Sequence, residues 1–228
     1  MLYVLATPIG NRDDLTIRAL HALQNVDLII CEDRKETLKL LQYFHIEKPL
    51  INVAGYGDQH TREDILELIN QGKKVALVTN GTPGIADPGN LLIQQAIIAN
   101  VEITMLPGPS AFIMALILSG LPLHGFTFRG YPPRSAHALS QFLEVDKNSP
   151  HTIIYYVLAE RLTELLREVL SIFGERKAAI ANDLTSDHET IQRGTLSELW
   201  QYYVKHTPRG NFTLVIAGNW RLYAKHAE

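Results

Sequence analysis

Residues 1–20 read MLYVLATPIGNRDDLTIRAL. Leu2 to Leu5 is a short apolar run of strand type. It stops at Ala6-Thr7-Pro8-Ile9-Gly10-Asn11, an uncharged Pro/Gly loop, and a helical pattern follows from about Thr16 to Gln24. Strand, loop, helix is the order that places ligands at strand C-termini in α/β proteins. The loop lacks the G-x-G-x-x-G spacing, so it is no dinucleotide fingerprint.

Outward from this segment the same rhythm repeats. Apolar runs at Asp27–Cys31, Leu50–Val53, Lys74–Thr79 and Val101–Leu106 predict strands. Helical spacing at Thr37–Phe44, Thr61–Gln71, Leu91–Asn100 and Ser110–Leu118 separates or follows them. Alternation of this kind predicts an α/β fold with a mostly parallel N-terminal sheet covered on both faces. The texture changes near Ser119-Gly120-Leu121-Pro122. Beyond it come strands at Gly125–Arg129, Thr152–Val157, Lys177–Ala181, Glu189–Gly194 and Phe212–Ile216. Helices are expected at Ala136–Glu144, Arg161–Phe173 and Leu196–Tyr203. The reading is two α/β domains, 1–119 and 120–228.

The totals limit the function classes. The chain has 228 residues, 46% hydrophobic and 20% charged, with a formal net charge of −3. It is long enough for a proper core, and no global basic field advertises nucleic-acid binding. A local basic patch can still serve RNA. Cys31 is the only cysteine, so no internal disulfide forms, which points to a cytoplasmic protein. It reads as a buried, inert small hydrophobe. The longest apolar stretch, Ala111 to Leu118, is far short of the ~20 residues of a membrane span. No cleavable leader is expected. No His/Cys cluster has metal-ligand spacing, and no G-x-x-x-x-G-K-[ST] loop supports phosphoryl transfer.

Three loops following strands are the candidate binding elements: Thr7 to Asn11, Thr79 to Gly89 and Pro107 to Ala111. Glycine allows close backbone approach and proline fixes loop shape. The loops carry little positive charge, so they suit a ligand with hydrogen-bonding edges better than a string of phosphates. Spacing alone identifies a small-molecule site and leaves its occupant open.

The segments Leu2 to Asn11 and Asp14 to Leu20, Gly81-Thr82-Pro83-Gly84-Ile85 with Asp87-Pro88-Gly89, and Leu106 to Ala111 resemble the tetrapyrrole methylase superfamily. Within it they resemble the family of ribosomal RNA small subunit (16S rRNA) cytidine 2′-O-ribose methyltransferases. Gly174 to Arg176, Leu184-Thr185 and Arg193 to Leu196 are similar to that family too. The resemblance implies S-adenosylmethionine in a cleft between two α/β domains. By position it implies cofactor contacts at Pro8, Ile9, Thr82, Ile85, Ser110, Ala111 and Val157, with Ala181 and Gly210 on the same wall as Val157. It implies a homodimer acting on small-subunit ribosomal RNA or the assembled subunit.

The chain departs from the family pattern in several segments, less in the presumed cofactor loops than in the presumed substrate loops. A family Ser-Asp-Ala-Gly is Thr79-Asn80-Gly81 here, and Phe-Tyr-Glu-Ser-Pro-His-Arg is Tyr155-Tyr156-Val157-Leu158-Ala159-Glu160-Arg161. Two alternatives therefore stand beside RNA methylation. One is a methyltransferase acting on a small molecule such as a tetrapyrrole; the other is a catalytically weak RNA- or ribosome-binding relative.

Methyl transfer from a sulfonium to a ribose hydroxyl needs in-line positioning and help in removing a proton. Glu32, Asp33, Lys35 and Glu36 after the second strand, and Asp58 or His60 after the third, are the nearby ionisable groups. The acidic ones also suit the first turn of a helix, and no catalytic base is assigned. For RNA, Arg12, Arg34, Lys35 and Arg134 are the candidate phosphate contacts, joined by Arg129. Tyr131, Tyr155 and Tyr156 could stack a base, although as neighbours on a strand one of the last two should be core.

Overall fold

The computed structural model describes residues 1–52, 59–86 and 89–219. The chain divides into two compact units, Met1–Ser110 and Ala111–Glu228.

In the first unit, strands β1 (Leu2–Thr7), β2 (Leu28–Cys31), β3 (Leu50–Asn52), β4 (Val75–Asn80) and β5 (Ile103–Leu106) form one sheet in the order β3-β2-β4-β1-β5. Every pairing is parallel. Helices α1 (Ile17–Asn25), α2 (Arg34–Tyr43), α3 (Gln59–Asn70) and α4 (Asn90–Ile98) cover it. Alternate strand residues serve two cores. Leu5, Ile29, Ala76 and Val78 pack with Ala19 and Leu23 of α1 and Leu41 of α2. Leu2, Val4, Ile30 and Leu77 pack with Ile65 of α3 and Leu92 and Ala96 of α4. Burial on both faces explains why these strands read as unbroken apolar runs.

Boundaries move for local reasons. β1 runs on to Thr7, because its register with β4 continues through Ala6↔Thr79 and Thr7↔Asn80. α2 starts at Arg34, ahead of the expected Thr37, because the Asp33 carboxylate accepts from the amides of Lys35 and Glu36 at 2.8 and 3.0 Å. That is an N-cap. Cys31 is fully buried and its thiol is pushed up by desolvation, as expected of an inert packing residue.

The second unit holds β6 (Phe126–Phe128), β7 (Thr152–Leu158), β8 (Lys177–Asn182), β9 (Thr190–Thr195) and β10 (Asn211–Ile216) in the order β6-β7-β10-β8-β9. Only β6 and β7 are parallel; the other neighbours are antiparallel. α6 (Ala136–Asp146), α7 (Leu162–Phe173) and α8 (Leu196–Lys205) supply the core of one face, with Leu162, Leu165, Leu166 and Val169 of α7 all buried. The helix expected at Ser110–Leu118 is α5 (Ala111–Ser119), and it lies with the second unit. The division thus falls after Ser110, not after residue 119. α5 packs on β7, β8 and β10, and the Arg193 guanidinium on β9 donates to the Leu118 carbonyl, with Nε at 2.9 Å.

A polar cluster sits inside this unit. The Tyr155 hydroxyl donates to Asp146 Oδ2 at 3.0 Å, and Arg129 Nε donates to the same oxygen at 2.9 Å. Asp146 and Tyr155 are both buried. Tyr155 is therefore the core member of the tyrosine pair, as strand alternation requires, and Arg129 is engaged inside the fold.

Candidate functional site

Strand order dictates where the first unit can bind. β1 and β4 are neighbours. After β1 the chain passes through α1 on one face toward β2; after β4 it passes through α4 on the other face toward β5. Adjacent loops that diverge to opposite faces leave a crevice at the strand C-termini. Two of the three candidate loops, after β1 and after β4, flank that crevice.

The loops are stitched together. The Thr7 amide donates to the Gly81 carbonyl at 2.9 Å, and the Thr7 hydroxyl donates to the Thr79 carbonyl. Gly81 has φ +87°, and a Cβ there would stand 3.2 Å from Ile9 Cγ2. The third loop lies directly on β1: a Cβ on Gly108 would stand 2.9 Å from both the Cβ and the carbonyl oxygen of Ala6. Only glycine permits that approach. The Thr82 hydroxyl donates to the Pro109 carbonyl at 3.4 Å, tying the second loop to the third. Pro8, Ile9, Thr82 and Ser110 are half-buried, and Ile85 is 39% exposed. Asp87 and Pro88 of the second loop lie outside the described residues.

This edge fits S-adenosylmethionine. Pro8, Ile9, Thr82, Ile85 and Ser110 carry no charge, so none opposes a sulfonium. Ile9 and Ile85 offer apolar surface to an adenine ring. The Thr79 hydroxyl is buried at the crevice end of β4 and has no hydrogen-bond partner among the described residues. A buried polar group without a partner is costly, and a ligand with hydrogen-bonding edges would satisfy it.

The ionisable groups of this edge separate into roles. Glu32 follows β2, is half-buried, and is raised from its ordinary value by desolvation and then by the Asp33 charge. A raised carboxyl is a better proton acceptor near neutral pH. Asp33 is committed to its cap. Arg34 Nη1 donates to the Leu50 carbonyl at 2.9 Å, whereas Lys35 is exposed. The Arg12 guanidinium lies 5.3 Å from the Tyr43 ring centroid. His60 is exposed at the start of α3, 3.8 Å from Asp64 Oδ1, the place of a surface residue. Asp58 lies outside the described residues. Among the described residues no group of His, Cys, Asp and Glu could hold a metal ion, and no helix is long and apolar enough to cross a membrane.

The candidate residues of the second unit are not brought to one wall. Val157 and Ala181 are paired through β10 in different rows, Val157↔Phe212↔Asn182 and Tyr156↔Thr213↔Ala181. Their side chains therefore point to opposite faces of the sheet. Ala181 is 2% exposed. Gly210 precedes β10, and the space of its missing side chain is filled by the Asp183 carboxylate. Ala111 is the first residue of α5 and half-buried.

Val157 instead lines a cavity of about 320 Å³ at the C-terminal end of β7, with Tyr131, Arg134, Tyr156, Arg161 and Leu165. The first turn after β7 shapes this cavity. Arg161 Nη1 donates to the Pro133 carbonyl at 2.7 Å, and its Nε pairs with Glu164 at 3.2 Å. The structural role of Arg161 escaped the sequence reading, although the arginine is the family residue kept at the end of the otherwise altered segment Tyr155–Arg161.

The tetrapyrrole (corrin/porphyrin) methylase family model matches residues 1–200. A ribosomal RNA small subunit methyltransferase I from Synechocystis is 41% identical over 96% of this chain and 79% of its own length. The protein of that name from Thermotoga maritima is 38% identical over 95% of this chain and 98% of its own. Among solved structures, a cobalt precorrin-4 methyltransferase aligns with a TM-score of 0.71 at 19% identity, over 95% of this chain and 94% of that one. A uroporphyrin-III C-methyltransferase from Thermus thermophilus aligns at 0.65 and 19%, over 98% and 97%. These structural matches show a shared fold. The full-length sequence relationship goes further: the chain belongs to the tetrapyrrole methylase family, and within it to the ribosomal RNA small subunit methyltransferase I group of methyltransferases.

Proposed function

We propose that this chain transfers the methyl group of S-adenosylmethionine to a cytidine ribose 2′-hydroxyl in small-subunit ribosomal RNA, working as a homodimer in the cytoplasm. One observation carries the choice of substrate class. The relatives at 36–41% identity are named for small-subunit ribosomal RNA, whereas the tetrapyrrole enzymes that share the fold stand at 19%.

The cofactor supplies an activated methyl on a sulfonium. The chain's part is placement and proton handling. The uncharged loops at Ile9, Thr82, Ile85 and Ser110 hold the donor at the β1/β4 crevice, and positioning supplies much of the acceleration in an in-line transfer. Glu32, directly after the neighbouring strand β2, is a half-buried carboxyl of that edge.

Labelled S-adenosylmethionine, the purified protein and small subunits from cells lacking the enzyme provide the test. Label on the ribose 2′-oxygen of a single cytidine is expected after nuclease mapping. Label on the RNA bases, or none while calorimetry still records cofactor binding, overturns the reading.

The Arg34/Lys35 patch makes a second expectation. Changing both to alanine should weaken RNA binding and lower the slope of log K against log salt by about 1 to 2, leaving cofactor affinity unchanged. An unchanged slope would leave the pair as a solvated helix start.

A further inference from the structure

The cavity at the end of β7 differs chemically from the β1/β4 crevice. It is aromatic and cationic. A row of rings leads into it: Phe112 stacks on Phe128 at 4.4 Å, Phe128 meets Tyr156 edge-on at 4.8 Å, and Tyr156 meets Tyr131 at 5.4 Å. The inner members brace the outer one, and Tyr131 is 51% exposed at the mouth. Of the two arginines, Arg161 is neutralised by Glu164 and spent on the Pro133 carbonyl. That bond fixes the Tyr131–Arg134 loop. Arg134 is exposed and has no ion-pair partner among the described residues.

A braced, half-exposed aromatic face beside an uncommitted guanidinium is the chemistry that receives an unstacked base and its phosphate. The volume of about 320 Å³ is at the small end of ligand sites and suits one nucleotide. A sulfonium cofactor is the poorer occupant, because the Arg134 charge would repel it. Resting on the RNA reading above, we propose that this cavity takes one splayed-out nucleobase of the RNA, face-on to Tyr131, with Arg134 on the adjoining phosphate.

Fluorescence anisotropy with a labelled oligocytidylate octamer and its abasic counterpart tests this. Wild type should bind the base-bearing octamer more tightly. Tyr131→Ala should weaken that binding about tenfold and leave the abasic octamer alone, since stacking on one aromatic carries an effect of that size. Tyr131→Trp should restore it. Arg134→Gln should weaken both octamers and lower the salt slope by about 0.7. The proposal falls if wild type does not distinguish the octamers, or if Tyr131→Ala leaves their difference intact. It also falls if that variant loses S-adenosylmethionine by calorimetry and keeps RNA, which would give the cavity to the cofactor. Subunit methylation separates the two readings. Base-dependent binding through Tyr131 with no label on ribosomal RNA keeps the cavity and removes the reaction. Label that is indifferent to Tyr131→Ala keeps the reaction and removes the cavity.

Discussion

Replacing Ile85 with glutamate is expected to leave the fold intact and to lower S-adenosylmethionine affinity about a hundredfold or more. Ile85 is 39% exposed on the second loop, so the new side chain disturbs no packed core. Bound ligand would cover that position. Covering the part of Ile85 that is still exposed is favourable by ~1 kcal/mol, and covering an unpaired carboxylate costs several kcal/mol. Together they exceed the ~2.7 kcal/mol that corresponds to a hundredfold. Ser110→Glu should act in the same direction from the third loop, where the half-buried serine leaves little room for a longer acid. Calorimetry measures the affinity, and circular dichroism checks the fold. Unchanged cofactor affinity in both variants would remove the β1/β4 crevice as the binding edge.

Asp146→Ala should destabilise the second unit strongly. It leaves the buried Tyr155 hydroxyl and the Arg129 guanidinium without their shared acceptor. Breaking a fully buried charged pair from one side costs ~3–5 kcal/mol; the Arg129 side chain is 29% exposed, so about 2–3 kcal/mol is expected, a fall of roughly 5–10 °C in melting temperature. Asp146→Asn retains an acceptor and should lose clearly less. Equal melting curves for wild type and Asp146→Ala would mean that the cluster contributes nothing.

The same tyrosine gives a pH signature. Burial pushes the Tyr155 hydroxyl well above its ordinary range, and burial pushes Tyr203 up to about 12. Above pH ~10 the unfolded chain releases these protons while the folded chain keeps them, so stability is full below that pH and declines as pH rises. Tyr155→Phe should make the alkaline decline of the melting temperature shallower.

The first unit was largely legible because its strands are buried on both faces. Uninterrupted apolar runs such as Val75–Thr79 and amphipathic helices such as Thr61–Gln71 carry different periods. The second unit was legible in elements but not in arrangement. An apolar α5 has no polar side to reveal which sheet it serves, and its sequence, AFIMALILS, continues the rhythm of the first unit. The site was legible where loops follow parallel strands, since their ends share one edge. It was not legible across β10. Whether Val157 and Ala181 share a face depends on the rows of an antiparallel strand more than thirty residues beyond, and nothing in either segment records that register.

The position of β1 has a consequence for synthesis. β1 is an inner strand of its sheet that is synthesised before both of its neighbours, β4 and β5, and Leu2 pairs with Val75 and Ile103. Neither neighbour exists until most of the unit has been translated. A chain extended at ~5–20 residues per second therefore holds an apolar, unpaired strand for several seconds. During that interval Leu2, Val4 and Leu5 are exposed to any hydrophobic or strand-seeking surface. Nascent chains of this protein should accordingly depend on chaperone cover until the segment around Leu106 emerges, and release before that point should yield aggregate rather than a partial sheet.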